Sequence, residues 1–297
     1  MARENSSSCI SRGSFLRRTA AGALGVSITG CSSSGLFSGT REAKSVVRTL
    51  GRTNLQVAFV GHGASRVDTP SVVRRGIDLG INFIDTGRMY SEGKNEEMLG
   101  RALAGVRGKI IIQSKFHIKH RNNRAAIERS IDDSLKALRT DYIDIMLLRG
   151  VSSEEEVNSP EVIEALSQAR QSGKIRFTGI SCHNNQAETL KATRQCGFYD
   201  VFMVSYNHAG NFTHSVSGRF TEWDQDALEQ EIVLAAKDGV GIVAMKTCSA
   251  GPYKTDGQTE ASFSGGLKWI RNNRNIAAVV PGMANFAELE EDIKAMT

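Results

Sequence analysis

From residue 46 onward the chain alternates between two patterns of hydrophobic and polar positions. Short apolar runs rich in Val and Ile recur: LQVAFVG (55–61), INFID (81–85), KIIIQSK (109–115), YIDIMLL (142–148), IRFTGIS (175–181), DVFMVSY (200–206), GIVAMK (241–246) and IAAVVPG (276–282). Between them lie segments with helical spacing, such as NEEMLGRALAG (95–105), NRAAIERSIDDSLKALR (123–139), SPEVIEALSQARQSG (159–173) and DALEQEIVLAAKDG (226–239). Continuous β-branched runs of this length predict strands buried on both faces, and the 3.6-residue spacing predicts the helices that cover them. Ser159-Pro160 supplies an N-cap and a first-turn proline, and Gly173 closes the same helix. Eight strand-like runs alternate with helices, and no composition break or linker interrupts residues 46–297. The pattern predicts a single α/β domain, a closed (β/α)8 TIM barrel in preference to an open doubly wound sheet. Residues 46–61 predict a short hairpin ahead of the first barrel strand.

The first thirty residues read differently. SRGSFLRRTAAGALGVSITGC joins a basic stretch to a short run of Ala, Gly, Leu, Val and Ile and ends on small residues before a cysteine. This is the layout of an export signal, too short and too weakly apolar to span a membrane as a mature helix. SRGSFLR resembles a twin-arginine (Tat) export motif with Gly13 in place of the second arginine. ITGC resembles a lipobox, which implies a lipidated Cys31 as the first mature residue and a periplasmic or membrane-anchored lipoprotein. Residues 31–45 then serve as a tether. The other reading of this segment is a Ser/Gly/Ala tail with a chance cysteine.

Charge adds little. Four arginines against one glutamate in residues 1–30 account for +3 of the formal +5. No cluster of Lys and Arg interleaved with aromatics follows, so no nucleic-acid partner is expected. The five cysteines show no CxxC and the six histidines no HExxH; His117 and His120, three apart, are not a ligand set on their own, so no metal is expected.

In a barrel of this kind chemistry gathers at the C-terminal ends of the strands. Those ends supply Asp85, Lys115, Arg149, Ser181, Tyr206-Asn207 and Lys246 in chain order, and Tyr90 follows Asp85 on its loop. A buried ammonium beside a phenol favours the phenolate, and a carboxylate beside the ammonium keeps it charged. Asp85, Tyr90 and Lys115 together therefore predict a proton donor to a carbonyl oxygen, as hydride reduction requires.

These residues carry a family resemblance. GINFIDTGRMYSEGKNEEMLGRAL (80–103), QSK (113–115), DYIDIMLLRG (141–150), GISCHN (179–184), SYN (205–207) and VVPGMANFAELEEDIKA (279–295) resemble, in collinear order, the segments of the aldo-keto reductase family. The resemblance covers residues 46–297. It implies a catalytic tetrad in which Asp85, Tyr90 and Lys115 are three members, and a nicotinamide cofactor, NADP(H) or NAD(H). It further implies cofactor contacts at Gly63, Ser181, Met203, Met245, Lys246, Gly282 and Asn285.

The sequence also departs from the family. Arg149 stands where the fourth member is a histidine; a guanidinium stays cationic and only donates, so it is expected to clamp a polarised oxygen or a carboxylate. Ser181-Cys182, Met203 and Met245 replace Ser-Asn, Gln and Tyr at the nicotinamide end, where Met245 would cover the ring by apolar contact. Ala284 and Glu288 stand around the positions where NADPH-preferring members offer Lys or Arg, and Asp292 stands where Asn is usual; the two acids oppose a 2′-phosphate. Lys246 reaches a pyrophosphate or lies in solvent, and Gly61-His62-Gly63 admits a ligand or makes a tight turn. Cys182 is read as a packed thiol, Glu154–Glu156 as a solvated loop, and Trp223 as a pocket-lining aromatic. The expected partner is a small carbonyl or sugar-type substrate, with membrane contact only through Cys31. Two alternatives stand beside the reductase: a Schiff-base Lys115 as in barrel aldolases, and a non-catalytic cofactor- or ligand-binding lipoprotein derived from a reductase.

Overall fold

The computed structural model describes residues 46–117, 119, 123–214, 217–255 and 257–296. The export signal, Cys31, the tether and His120 lie outside the described residues. The chain enters through an antiparallel hairpin, β1 (Val47–Thr49) and β2 (Gln56–Ala58), with Val47 opposite Ala58. Its turn passes through Asn54 at φ 56°, a left-handed position that asparagine tolerates. The hairpin drives Leu50, Leu55 and Val57 into one apolar cluster with Phe83, Ile145, Leu147, Val201 and Val243. These are inward-facing strand residues, so the hairpin plugs the lower end of the barrel.

The barrel strands follow: β3 (His62–Gly63), β4 (Phe83–Asp85), β5 (Ile111–His117), β6 (Ile143–Val151), β7 (Ile175–Cys182) and β8 (Val201–Ser205). After a small hairpin, β9 (Asn211–Thr213) and β10 (Phe220–Glu222), come β11 (Gly241–Met245) and β12 (Ile276–Val279). The eight-stranded sheet runs β3-β4-β5-β6-β7-β8-β11-β12, and every adjacent pair in it is parallel. Bridges Val60↔Val279 and Gly63↔Gly282 join its first edge to its last, with Gly61 N donating to Val279 O at 2.8 Å. This closure leaves no open edge.

Nine helices are described: α1 (Pro70–Asp78), α2 (Lys94–Ala102), α3 (Arg124–Leu138), α4 (Glu154–Val157), α5 (Pro160–Gln171), α6 (Gln186–Cys196), α7 (Gln225–Lys237), α8 (Phe263–Asn272) and α9 (Phe286–Ile293). Side-chain caps start several of them, for example Asn123 accepting from Ala126 N and Asp224 from Ala227 N, each at 3.0 Å. Such caps contribute about 1 kcal/mol apiece. Among the described residues no helix is long and apolar enough to cross a membrane.

Three local expectations need correction. The hairpin expected over residues 46–61 is present, but the run Leu55–Gly61, also counted among the eight barrel runs, is not the first barrel strand: Gln56–Ala58 belongs to that hairpin, and the strand proper is the two-residue His62–Gly63. The acidic run Glu154–Glu156 is helical, not a solvated loop. Ser153 Oγ accepts from Glu156 N at 3.3 Å and Glu156 Oε2 from Ser152 N at 2.8 Å, a reciprocal cap that winds one turn. The long loop after β8 folds into the β9–β10 hairpin, and it is Phe212 rather than Trp223 that this hairpin turns toward the cleft above the barrel.

Candidate active site

The floor of the site is a buried ion pair. Lys115 Nζ lies 2.5 Å from Asp85 Oδ1 and donates to Thr86 O at 2.7 Å; both side chains are almost fully buried. Gln113, two residues earlier and so on the same face of β5, donates from Nε2 to the same Asp85 oxygen at 2.7 Å. Burial acts most strongly on the Lys115 ammonium and pulls its pKa down, but Asp85 and Tyr90 together outweigh it and leave the pKa above the ordinary lysine value. Lys115 is therefore a held charge. A Schiff-base nucleophile needs a neutral amine, so this environment speaks against the aldolase alternative.

Tyr90 sits over that pair, its ring centroid 5.2 Å from Lys115 Nζ. The loop that carries it is pinned at both ends: Arg88 N donates to Lys115 O at 3.1 Å and Tyr90 N to Gly87 O at 2.9 Å. Behind it, Arg88 Nη1 donates to Glu96 Oε2 at 2.8 Å, and Ser114 Oγ donates to Glu96 Oε1 at 2.7 Å. Ser91, Glu92 and Gly93 then follow with φ of 49°, 55° and 90°. At Gly93 a Cβ would lie 1.6 Å from Arg88 Nη2, so only glycine leaves room for that guanidinium. The latch of Arg88, Glu96 and Ser114 was not read from the sequence; its signal was a glutamate in the first turn of α2 facing a serine beside the site lysine.

The rim is of opposite character. Arg149 lies within β6, level with His117 and Ser181 and one inward-facing layer above Leu147, the partner of Lys115. It forms no ion pair among the described residues. A cleft of about 220 Å³ opens beside it, lined among others by His183, Phe212, His214, Arg219 and Thr221, with no Asp or Glu in its walls. Lys246 adopts φ 58°, rare for a non-glycine residue, and places Nζ 5.0 Å from the Phe212 ring centroid. Burial and then Arg149 depress the Lys246 pKa. Burial, followed by Lys246, Arg149, Lys115 and His214, pushes His183 down to about 3.

The remaining candidates separate by position. Ser181, Met203 and Met245 are buried at the barrel's upper interior, and the Ser181 hydroxyl meets only the Met203 thioether, at 3.7 Å. Gln113 Nε2 touches the same sulfur at 3.6 Å while its Oε1 is buried without a hydrogen-bond partner. A weak acceptor and an orphaned amide oxygen fit a carboxamide guest. Gly63 and Gly282 pair across the barrel seam, and a Cβ on Gly63 would lie 2.5 Å from Val280 O. Asn285 caps α9 through Glu288 N at 3.0 Å; Glu288 in turn accepts from Ala284 N at 2.9 Å and pairs with Arg66 at 3.2 Å. Arg66, from the loop after β3, is a neighbour of this helix start that the sequence reading missed. Tyr206 points away from the site, donating to Glu229 at 2.6 Å and stacked on Trp269. The Cys182 thiol is buried, shares its hydrogen with Asn184 O and is pushed up to about 12, as befits a packed residue.

Comparison with known proteins bears on the family and the fold. L-galactose dehydrogenase of Arabidopsis thaliana is 30% identical over 294 residues, covering 84% of this chain and 88% of the plant protein. The oxidoreductase YqkF of Bacillus subtilis, itself uncharacterized, is 34% identical over 148 residues, 45% of this chain and 48% of its own length. An aldo-keto reductase of Klebsiella pneumoniae, solved in complex with NADPH, superposes with a TM-score of 0.65 at 22% identity, covering 85% of this chain and 89% of that one. Residues 58–266 match the pattern described as the aldo/keto reductase family. With a family match over residues 58–266 and a relative 30% identical along most of both chains, the chain belongs to the aldo/keto reductase family.

Proposed function

We propose that the protein is a nicotinamide-dependent oxidoreductase that reduces a small-molecule carbonyl, or oxidises the matching alcohol. The observation that supports it most is the Asp85–Lys115 pair beneath Tyr90. The pair keeps a positive charge next to the phenol, which stabilises negative charge developing there as the proton moves to the substrate oxygen. Arg149, one layer above, stays cationic and donates hydrogen bonds only, so it is a group that would take a polarised oxygen or a carboxylate of the substrate. The bound nicotinamide supplies the hydride. Ser181 and Gln113 are the polar groups placed to meet its carboxamide, Met203 and Met245 the apolar surface beside it, and Gly63, Gly282 and Asn285 the backbone at the seam and at the start of α9. Because Glu288 already caps that helix start and pairs with Arg66, the site should take NADH at least as well as NADPH.

The test is a fluorescence titration of residues 32–297 with NADH and NADPH in parallel, followed by turnover of a carbonyl panel by wild type and Tyr90→Phe. Removal of the proton donor should lower kcat about 10²–10⁴-fold while cofactor binding persists. Binding of neither cofactor by folded protein would reject the reading and favour the non-catalytic lipoprotein instead.

On the first 31 residues we also propose export and anchoring as a periplasmic or membrane-attached lipoprotein through Cys31. Cys31→Ser should release the protein from the membrane fraction; an unchanged distribution would refute the anchor.

A further inference from the structure

The rim holds more positive charge than the reduction of a neutral carbonyl needs. Neither Arg149 nor Lys246 has an acidic partner among the described residues; the cleft beside Arg149 has no carboxylate in its walls, and Phe212, which lines it, has Lys246 Nζ 5.0 Å from its ring centroid. Elsewhere half-buried cations have partners of their own: Arg88 has Glu96, Arg107 and Arg176 have Asp144, Arg52 has Asp200, and Arg48, next to Arg271 and Arg274, donates to the carbonyls of Asn273, Ile276 and Arg271. Arg149 and Lys246, at the mouth of the barrel, have neither an acid nor a carbonyl acceptor for their cationic groups among the described residues. Placing two cations together and leaving them uncompensated is unfavourable unless an anion completes the site. The left-handed backbone at Lys246 holds its ammonium over Phe212 in that mouth, and backbone strain of this kind calls for a reason at the site.

We propose that the substrate is a carbonyl compound that also carries a carboxylate, an oxo acid or in reverse the hydroxy acid, with the carboxylate held by Arg149 and Lys246 beside Phe212 while its carbonyl faces Tyr90 and Lys115. This rests on the reading of the protein as a carbonyl oxidoreductase and names the substrate class of that site. The layer spacing fits it. Arg149 stands one inward layer above the level of Lys115 on the neighbouring strand, a rise of about 6–7 Å along a strand. The carboxylate therefore lies a few bonds from the reacting carbon. The planar guanidinium takes it by two parallel hydrogen bonds, Lys246 adds a point charge, and the Phe212 ring and the neutral His183 give the carbon skeleton an aromatic wall. Arg219 and His214, further out on the β9–β10 side, extend the positive field through which such an anion approaches. The reaction balances within the family's chemistry: a hydride from the reduced nicotinamide adds to the carbonyl carbon, the Tyr90 proton goes to its oxygen, and the carboxylate is unchanged.

The test pairs 4-oxo-4-phenylbutanoate with its methyl ester, in which the charge is removed three bonds from the ketone carbon and the ketone itself is unchanged, using the full-length protein purified in detergent. Wild type should favour the acid by roughly 30-fold or more in kcat/KM at low salt. Arg149→Met should abolish that preference and Lys246→Met reduce it, with the NADH dissociation constant unchanged in Arg149→Met. An ester turned over as well as the acid would overturn the proposal, and so would an Arg149→Met variant that loses both substrates equally, since Arg149 would then act on the carbonyl alone. A preference for glyceraldehyde 3-phosphate over 4-oxo-4-phenylbutanoate would likewise refute the carboxylate assignment. Calorimetric binding of 4-oxo-4-phenylbutanoate without turnover separates the two ideas: binding that is lost in Arg149→Met keeps the anion site and rejects the reductase reading. Turnover of neutral carbonyls without acid binding does the opposite.

Discussion

Lys115 and Lys246 are the same residue type at the ends of two strands of one barrel, and the structure pushes their ammonium groups in opposite directions. Lys115 is the more deeply buried of the two, yet its pKa is raised; Lys246, less buried, has its pKa lowered. Burial acts first and in the same sense on both. The difference lies in the neighbours: Lys115 has Asp85 at 2.5 Å and Thr86 O at 2.7 Å, while Lys246 has Arg149. The floor of the site is thus complete in the free protein, whereas the rim is completed by what binds there. A charge that the fold neutralises itself serves the chemistry of Tyr90, and a charge that it leaves open serves selection of the substrate.

The largest effect should come from breaking the floor. Asp85→Leu leaves Lys115 buried without its counter-charge and should lower stability by about 3–5 kcal/mol in chemical denaturation, with turnover lost. Adding Lys115→Met to it should recover most of the stability and none of the activity, because two packed apolar side chains can replace a buried pair but cannot assist a phenol. A double variant as unstable as the single one would mean that the pair holds the barrel rather than the chemistry.

The floor was legible in the sequence and the rim only in part. Asp85, Lys115 and Tyr90 are polar residues that end or follow apolar runs, and a period-two strand with a charged residue at its end advertises itself. Gln113 carries the same signal one pleat earlier, since inward positions alternate, but an uncharged side chain in mid-strand drew no role. Arg149 was identified, though as the last residue of its strand; β6 in fact continues to Val151 through Gly150 at φ 90°, which turns the rim outward. The alliance of Arg149 with Lys246 depends on strands almost a hundred residues apart and on the β9–β10 hairpin that brings Phe212 between them. Neither has a local pattern to read. The split of Leu55–Gly61 between plug hairpin and seam has the same origin, because the closing partner, Val279–Gly282, lies at the far end of the chain.

Acid should separate the two regions next. His62, packed beneath the seam, is held down to about 4 and His183 at the rim to about 3, in both cases chiefly by burial. Unfolded, each would take its proton near ~6.5. Between that value and about 4 the unfolded chain binds more protons than the folded one, so stability rises with pH there and is lost as pH falls. The loss should approach about 1.4 kcal/mol per pH unit for each histidine and cease below the folded values. Denaturation midpoints between pH 7 and 4 check the slope. His183 carries the comparison: Arg149→Met should raise its pKa in an NMR titration, because one of its depressing charges has gone, while His62 should not move. Equal shifts at both would show a change in burial instead of a lost charge.

The smallest expected effect is the most diagnostic of an open rim. Replacing a paired, buried cation destabilises; replacing one that faces another cation removes a repulsion. Lys246→Met should therefore leave stability unchanged or raise it by under about 1 kcal/mol, even though the side chain is half-buried over Phe212. Its pKa, lowered in the folded state, gives the same sign. A lysine that the fold holds below its unfolded value detracts from stability wherever the unfolded ammonium is charged and the folded one is harder to charge. That penalty disappears with the methionine, and it should also fade as the pH is raised past the unfolded lysine value, where neither state is protonated. Salt separates the same contrast a second way. Ionic strength should raise the KM of an anionic substrate, since screening acts on the partly exposed rim, and should leave the midpoint shift of Asp85→Leu untouched, since the floor is out of its reach. A destabilised Lys246→Met would show that the rim cation has a partner in the folded protein after all, and the distinction between a closed floor and an open rim would fail with it.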